Sequence, residues 1–414
     1  MTSKWQRNLR IIRLIRICFS LIFSIPVISL YWQDNGLSVF DIFVLQAIFS
    51  VAVLLFEIPT GYLGDLLGRK RTVIIASGIF AAGWAFYSVA HGFWGFVCAE
   101  IVLGLALAFL SGTDSSLVYE SLTESNREKE YSRIEGKMFS LSNISAALAS
   151  IAGGIAAAFF PVWTLMAVTS AVALVSFLSA MFITDPPRRV YSHPRGTVYG
   201  FYKILRYVFL KSKIVRAAVP LLAASSLATM LGVWLYQPLW QERSIPLWLF
   251  GILWALLFVP TSLGSHFAYK LESLLGKKGI ILIMPIPTVA GYILAGFLPG
   301  FWAILPIYLV NFLRGVANPI LTRYIHEETF SDKRATVISI QSFMFRIAYS
   351  ATGPIVGAVA LYAGLNMAFY ISAGIVVAGM TICIPFFLKK LGDWNTHEQK
   401  KPENPIKDIP VDNT

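Results

Sequence analysis

A bundle of twelve membrane-spanning helices is the fold this sequence predicts: an all-α integral membrane protein of two pseudo-symmetric six-helix bundles, both termini cytoplasmic. Three observations carry the prediction. Of 414 residues 56% are apolar and 14% charged, against about a quarter charged in a soluble chain. The apolar residues fall in runs that suit a bilayer core, which roughly 20 helical residues cross. Lys and Arg gather almost wholly in alternate loops. A water-soluble enzyme is excluded by this composition.

Closing each apolar run at its charges, Gly, Pro and Asn gives spans at 13–32, 39–60, 73–91, 94–119, 138–160, 163–184, 215–237, 246–268, 279–299, 301–325, 336–362 and 365–388. The first follows a basic stretch, yet no small-residue cleavage site comes after it, only Tyr31, Trp32, Gln33 and Asp34. It is therefore a retained helix rather than a secretion signal. Arg69, Lys70 and Arg71 mark the turn between spans 2 and 3, and Arg127, Lys129, Arg133 and Lys137 that between spans 4 and 5. Lys270, Lys277 and Lys278 mark the turn between spans 8 and 9, and Arg323, Lys333 and Arg334 that between spans 10 and 11. Tyr31, Trp32, Trp234, Tyr236, Trp240 and Trp248 cluster at the opposite span ends, as an aromatic belt would.

Short cytoplasmic loops hold the excess of positive charge, so those turns lie inside, together with Lys4, Arg7, Arg10, Arg13 and Arg16. All but three of the 34 Lys and Arg are then cytoplasmic; Arg243 lies outside, while Arg314 and Arg346 fall within spans. The surplus of 12 positive charges reports topology, not nucleic-acid binding. The chain divides into an N-terminal bundle, 1–184, a basic cytoplasmic loop, 185–214, a C-terminal bundle, 215–388, and a disordered cytoplasmic tail, 389–414, which carries Pro402, Pro405 and Pro410. Cys18, Cys98 and Cys383 sit inside apolar runs, with no spacing for a disulfide frame or a metal.

The two bundles echo each other. Gly68-Arg69-Lys70 returns as Gly276-Lys277-Lys278, Leu110-Ser111-Gly112 as Leu313-Arg314-Gly315, and Ala149-Ser150-Ile151-Ala152-Gly153-Gly154 as Gly353-Pro354-Ile355-Val356-Gly357-Ala358. The similar offsets point to a duplicated six-helix unit, the arrangement by which many secondary transporters rock one half against the other.

Between spans 2 and 3 the chain reads Gly61-Tyr62-Leu63-Gly64-Asp65-Leu66-Leu67-Gly68-Arg69-Lys70-Arg71-Thr72. This resembles the signature loop of the major facilitator superfamily, and the twelve-span layout extends the resemblance over the whole chain. Gly61 and Gly64 would permit close helix approach, and Gly68 would relieve the turn. The resemblance implies that Asp65 and Arg69 latch an acidic residue at the cytoplasmic end of span 4, matched here by Asp114, and the start of span 11. Asp114 could instead be a helix-end residue in contact with cytoplasmic water.

An ionisable side chain inside a span costs several kcal/mol unless paired or wet, so each is a functional candidate. Spans 3, 6, 9 and 12 hold none; the resemblance makes them outer supports. Glu57 in span 2 is the first candidate for proton coupling, with a structural ion pair as its plain alternative. Glu100 in span 4 stands where many drug antiporters of the superfamily have an Arg, so it could bind protons or cations but cannot copy that Arg. Arg314 and Arg346 could hold an anionic substrate or neutralise Glu57 and Glu100. In span 5 the Gly-Pro that antiporters of the superfamily often carry is replaced by Ala149-Ser150, with Gly153-Gly154 kept.

No nucleophile–base pair, nucleotide loop or metal spacing occurs in the cytoplasmic loops, so the chain is read as no enzyme. It needs no cofactor, and a proton gradient would be its energy source. The expected function is secondary active transport of a small organic molecule by alternating access, through proton-coupled export of a drug, siderophore or metabolite. Uptake by proton symport or facilitation is the alternative, and a non-transporting receptor on the same scaffold the second. The expected partners are the substrate and membrane lipid, with no nucleic acid and a monomer as the working unit. The expected location is the plasma membrane, the inner one in a Gram-negative bacterium.

Overall fold

The computed structural model describes residues 4–187, 213–329 and 334–398. Fifteen helices occur among them. The N-terminal half runs α1 (Lys4–Ser20), α2 (Ile28–Asp34), α3 (Val39–Leu67), α4 (Arg69–Val89), α5 (Gly92–Leu110), α6 (Thr113–Thr123), α7 (Tyr131–Ala157) and α8 (Val162–Ala180). The C-terminal half runs α9 (Lys213–Glu242), α10 (Leu247–Leu256), α11 (Phe258–Ile283), α12 (Pro285–Phe297), α13 (Ile307–Glu328), α14 (Arg334–Ala363) and α15 (Leu365–Glu398). Eleven stretches among the described residues are long and apolar enough to cross a membrane, and α12 is a shorter apolar helix. The ninth expected span is present in two pieces, because Pro285 and Pro287 deny amide donors to the turn that would join α11 to α12.

Several spans are divided where the sequence suggested continuous helix. Span 1 comprises α1, a short 3-10 turn over Ile25–Val27 and α2. Irregular backbone at membrane depth is tolerated only where protein satisfies its polar groups. Here the Ser29 amide donates to Gln237 Oε1 at 2.9 Å and Gln237 Nε2 donates to the Ile25 carbonyl at 2.8 Å. Span 4 breaks at Gly112, whose φ of +72° ends α5 and lets α6 start afresh. The expected central loop, 185–214, lies outside the described residues except for its edges. Of the tail expected to be disordered, 389–414, the start is helical as far as Glu398 and the remainder is outside the described residues.

Gly68 and Gly276 carry the same backbone, φ/ψ of 88°/162° and 72°/165°. Only glycine adopts this readily, so the first sequence echo corresponds to one bend made twice. The second echo does not carry over: Gly112 breaks its span, whereas Gly315 stays helical with its Cα against the Thr261 carbonyl of span 8. Spans 3 and 6 pack on each other in one half, as 9 and 12 do in the other.

The bends at Gly68 and Gly276 lie at what we term the basic end, with the N-terminus and the Arg-Lys turns. At the opposite, far end the halves meet. Gly154 of α7 sits on Gly251 of α10, backbone to backbone, and Gly357 of α14 leaves 2.8 Å between a would-be Cβ and Phe43 Cβ of α3. The third echo thus marks the two glycine contacts between halves, span 5 on span 8 and span 11 on span 2. Close approach through small residues is the usual way membrane helices gain packing energy.

The aromatic expectation needs correction. Tyr31, Trp32, Trp234, Tyr236 and Trp240 are buried, and the rings of Trp32 and Trp234 lie 5.4 Å apart across the joint. Trp32 and Trp234 join the halves, while Tyr31 packs on Phe96 and Trp240 on Tyr236, Phe250 and Trp254, each within one half. Exposed Trp94, Phe159, Phe160, Trp163, Phe301, Trp302 and Tyr362, with Trp248, ring the far end and make the belt.

Candidate functional site

The loop motif forms an ion-pair clamp within the N-terminal half. Arg69, the first residue of α4 after the Gly68 bend, reaches back to Asp65 at 3.3 Å and across to Glu120 of α6 at 3.1 Å. Glu120 therefore occupies the place expected for Asp114. Gly64 packs beside Thr72 and Thr113, as a close approach requires, but nothing lies within 4 Å of a Cβ built on Gly61. Its expected packing role is not met. The side chains at the start of α14 are outside the described residues.

Asp114 opens the first turn of α6, where a carboxylate is favoured by the free amides of a helix start. Its Oδ1 accepts from the Ser115 amide at 2.8 Å and its Oδ2 from Arg16 Nε at 2.8 Å. Arg16 NH2 also donates to Glu135 Oε1 of α7 at 2.9 Å and to Ser115 Oγ at 3.0 Å. Arg16 entered the sequence reading only as a topology charge, and Glu135 did not enter it. A periodic signal was present: Tyr131, Glu135, Met138 and Ser142 share one α7 face by their spacing of three and four.

The C-terminal half has a counterpart with its signs exchanged. Glu272, preceding the Gly276 bend, accepts two bonds from Arg323 of α13 at 2.6 and 2.7 Å and a third from Tyr324. The loop member is basic in one half and acidic in the other.

Deeper in the bundle, Glu57 of α3 and Arg346 of α14 face each other across the halves within electrostatic reach. No ion pair under 4 Å is recorded between them, and Arg346 Nε is buried without a hydrogen-bond partner. Arg314 of α13 is exposed and interacts with Tyr236 of α9. It continues into Asn318 and Thr322 at a spacing of four, both accessible and bonded to each other at 3.1 Å. A polar stripe at that spacing suits a helix face lining water rather than lipid.

Glu100 does not pair with either arginine. It is 6% exposed, and its Oε1 accepts from Gln46 Nε2 and from the Tyr87 hydroxyl, both at 3.0 Å. Tyr87 in turn accepts from Trp32 Nε1 at 2.7 Å, so the carboxyl connects directly to the aromatic joint. Tyr349 of α14 also interacts with Glu100 and has a buried hydroxyl without a partner. The proton and substrate candidates thus separate into Glu57 with Arg346 between the halves, Arg314 on a wet stripe, and Glu100 in the far-end seal.

Hydrogen bonds join the halves from Gln237 to Ile25 and Ser29, and from Ser350 Oγ to the Ala47 carbonyl at 3.3 Å. At the basic end the ion pairs of Arg16, Arg69 and Arg323 each stay within one half.

Comparison with known proteins accords with this architecture. The chain is 20% identical over 376 residues to the quinolone resistance protein NorA of Staphylococcus aureus, covering 87% of this chain and 91% of that one. It is 23% identical over 189 residues to the uncharacterized transporter BU466 of Buchnera aphidicola, a match spanning 45% of this chain and about half, 47%, of that protein. Among solved structures, the nucleoside transporter NupG superposes with a TM-score of 0.75 at 12% identity, covering 93% of this chain and 99% of that one. A bacterial homolog of the human lysosomal transporter Spinster gives 0.74 at 15% identity, covering 94% and 99%. The Major Facilitator Superfamily matches residues 14–352, and the chain belongs to that family as a multi-pass membrane transporter, not an enzyme.

Proposed function

We propose that this transporter exports a small organic molecule in exchange for protons, with its basic end in the cytoplasm. The observation that carries the reading is the asymmetry of the joint. The halves are held at the far end by Gln237, the paired glycines and the Trp32–Trp234 contact, while Glu57 and Arg346 face each other across the halves and the Arg16, Arg69 and Arg323 ion pairs of the other end each lie within one half. With the Lys- and Arg-rich loops on the cytoplasmic side, that is an inward-open state, ready to load from the cytoplasm. Intramembrane carboxylates supply groups that can exchange protons during the cycle, and the quinolone resistance of NorA favours export. The absence of Gly-Pro at Ala149-Ser150 leaves room for uptake as the second reading.

The test is intravesicular pH in inside-out vesicles of the purified, reconstituted protein under a proton gradient, with drugs, siderophores and nucleosides added in turn. Compound-dependent collapse of the gradient, lost in Glu57→Gln or Glu100→Gln, is the expected outcome. Compound flux with no proton movement would remove the coupling and leave a facilitator. Binding without flux would indicate a receptor.

A further inference from the structure

We propose that Arg314 and Arg346 form an anion-binding site, that the substrate is a small organic anion carrying a carboxylate or a phosphate, and that Glu57 competes with that anion for Arg346. The inference rests on the transport reading and names its substrate class.

Three helices bring these residues to one level. At ~1.5 Å per residue, Arg314 lies about 21 Å from Glu328, Arg346 about 18 Å from Arg334 and Glu57 about 15 Å from Leu67, the basic-end residues of α13, α14 and α3. Their depths therefore agree to within about one helical turn. Within the C-terminal half α9 packs against both α13 and α14, and α14 in turn packs against α3 of the other half. Arg346 also stands on a polar face. Ser339, Ser342, Arg346 and Ser350 recur along α14 at spacings of three and four, all half-buried, as Arg314, Asn318 and Thr322 recur along α13.

Charge decides what such a place accepts. Glu100 is committed to Gln46 and Tyr87 in the far-end seal, so at this level two guanidinium groups stand against the single carboxylate of Glu57. A cationic substrate would meet the surplus positive charge, whereas an anion removes it. Arg346 Nε is buried without a hydrogen-bond partner, and a desolvated donor left unmade is unfavourable. Nε belongs to the guanidinium edge that grips a carboxylate or phosphate through two parallel bonds. That edge is unfilled: Glu57 and Arg346 attract each other, yet among the described residues no ion pair under 4 Å links them. Glu57 offsets part of the charge without supplying the missing acceptor. A substrate anion does both, and its own charge is repelled by Glu57.

The experiment measures binding to the full-length protein in detergent, read as the concentration-dependent rise in Tm that a ligand of the folded state produces. Phenyl, naphthyl and indolyl parents are each presented as carboxylate, phosphate, amide and amine, so that charge varies on a fixed parent. Stabilisation by carboxylates or phosphates, and not by amides or amines, is expected, and the stronger arm identifies the anionic group. In Arg314→Gln and in Arg346→Gln the apparent affinity should fall roughly tenfold to a hundredfold, as when one charge-assisted bond is lost. Arg346→Lys, which keeps the charge but not the fork, should fall less. Glu57→Gln should bind the anion more tightly, an effect that a merely structural role for Glu57 does not give. Stabilisation by amines that Glu57→Gln abolishes, anion binding indifferent to both arginines, or no stabilisation by any anion would each overturn the proposal. Should the arginine variants not fold, unchanged or weaker anion binding in Glu57→Gln would overturn it equally. The assay asks nothing about direction or protons. Anion binding without proton movement in the vesicles would sink the exchange reading alone, and compound-dependent proton movement without anion binding would sink this proposal alone.

Discussion

The far end and the basic end of this bundle are built from opposite chemistry. At the far end, helices of different halves touch through Gly154, Gly251 and Gly357, buried aromatic rings and one glutamine. At the basic end each half ties its own helices with charges, Arg69 to Asp65 and Glu120, Arg16 to Asp114 and Glu135, Arg323 to Glu272. Dispersion contacts between close-packed surfaces fall away within an ångström of separation, whereas ion pairs inside a half survive when the halves part. The difference teaches that opening at the far end breaks only short-range packing and a few hydrogen bonds. The charge clusters keep each half rigid while it moves.

The largest effect is expected from a side chain at the glycine joint. Gly154→Val drives a branched side chain into the Gly251 backbone, which has no rotamer to yield. Overpacking costs about 1–3 kcal/mol even where side chains can adjust, so far-end closure should fall by tenfold or more, read as a longer mean distance between labels at Phe159 and Trp248. An unchanged distance would show that the joint does not depend on backbone contact.

Next comes Gln237→Leu, which keeps the volume and removes both bonds to span 1. An unsatisfied buried backbone group costs about 1–3 kcal/mol, so the closed population should drop several-fold with little change in how each half unfolds. A comparable loss of thermal stability in both halves would instead make Gln237 a general packing residue.

Glu272→Gln probes the other end. Arg323 would lose its nearest carboxylate charge and one of the two oxygens it donates to, and we expect destabilisation of about 1–2 kcal/mol, read as a lower Tm in detergent, with the label distance at the far end unaltered. A change in that distance would break the division between ends. Glu120→Gln should be smallest, under about 1 kcal/mol, because the Asp65–Arg69–Glu120 set is partly exposed. Arg69 also retains Asp65 at 3.3 Å. Salt should weaken this clamp more than that of Glu272, which is 7% exposed.

Much of the fold was legible in the sequence because length and apolarity bear directly on bilayer crossing, and because Gly68 and Gly276 announce the same bend. The divisions of spans 1 and 4 were not, since hydrophobicity does not distinguish a helix from an unwound turn whose carbonyl is taken up by Gln237 on another span. Trp32 and Trp234 were misplaced for a related reason: an aromatic near a span end looks the same whether it faces lipid or a neighbouring helix. The charged candidates were found as residues but not as pairs. Asp114 reads as a partner of Arg69 by position along the chain, yet Gly112 turns α6 so that Glu120 reaches Arg69 and Asp114 reaches Arg16. Arg16 was hidden among basic residues that report orientation, and only the packing of α1 against α6 and α7 brings it out.

The unwound stretch of span 1 has one more consequence. Just after it, the Ser29 amide in the first turn of α2 is held by a side chain of the opposite half, so this one proton keeps a record of whether the two halves are together. Each far-end opening exposes it, and its rate of exchange with deuterium counts those openings. The protein therefore carries a built-in clock for its own cycle, readable in unlabelled, unmutated material and without knowledge of what it carries.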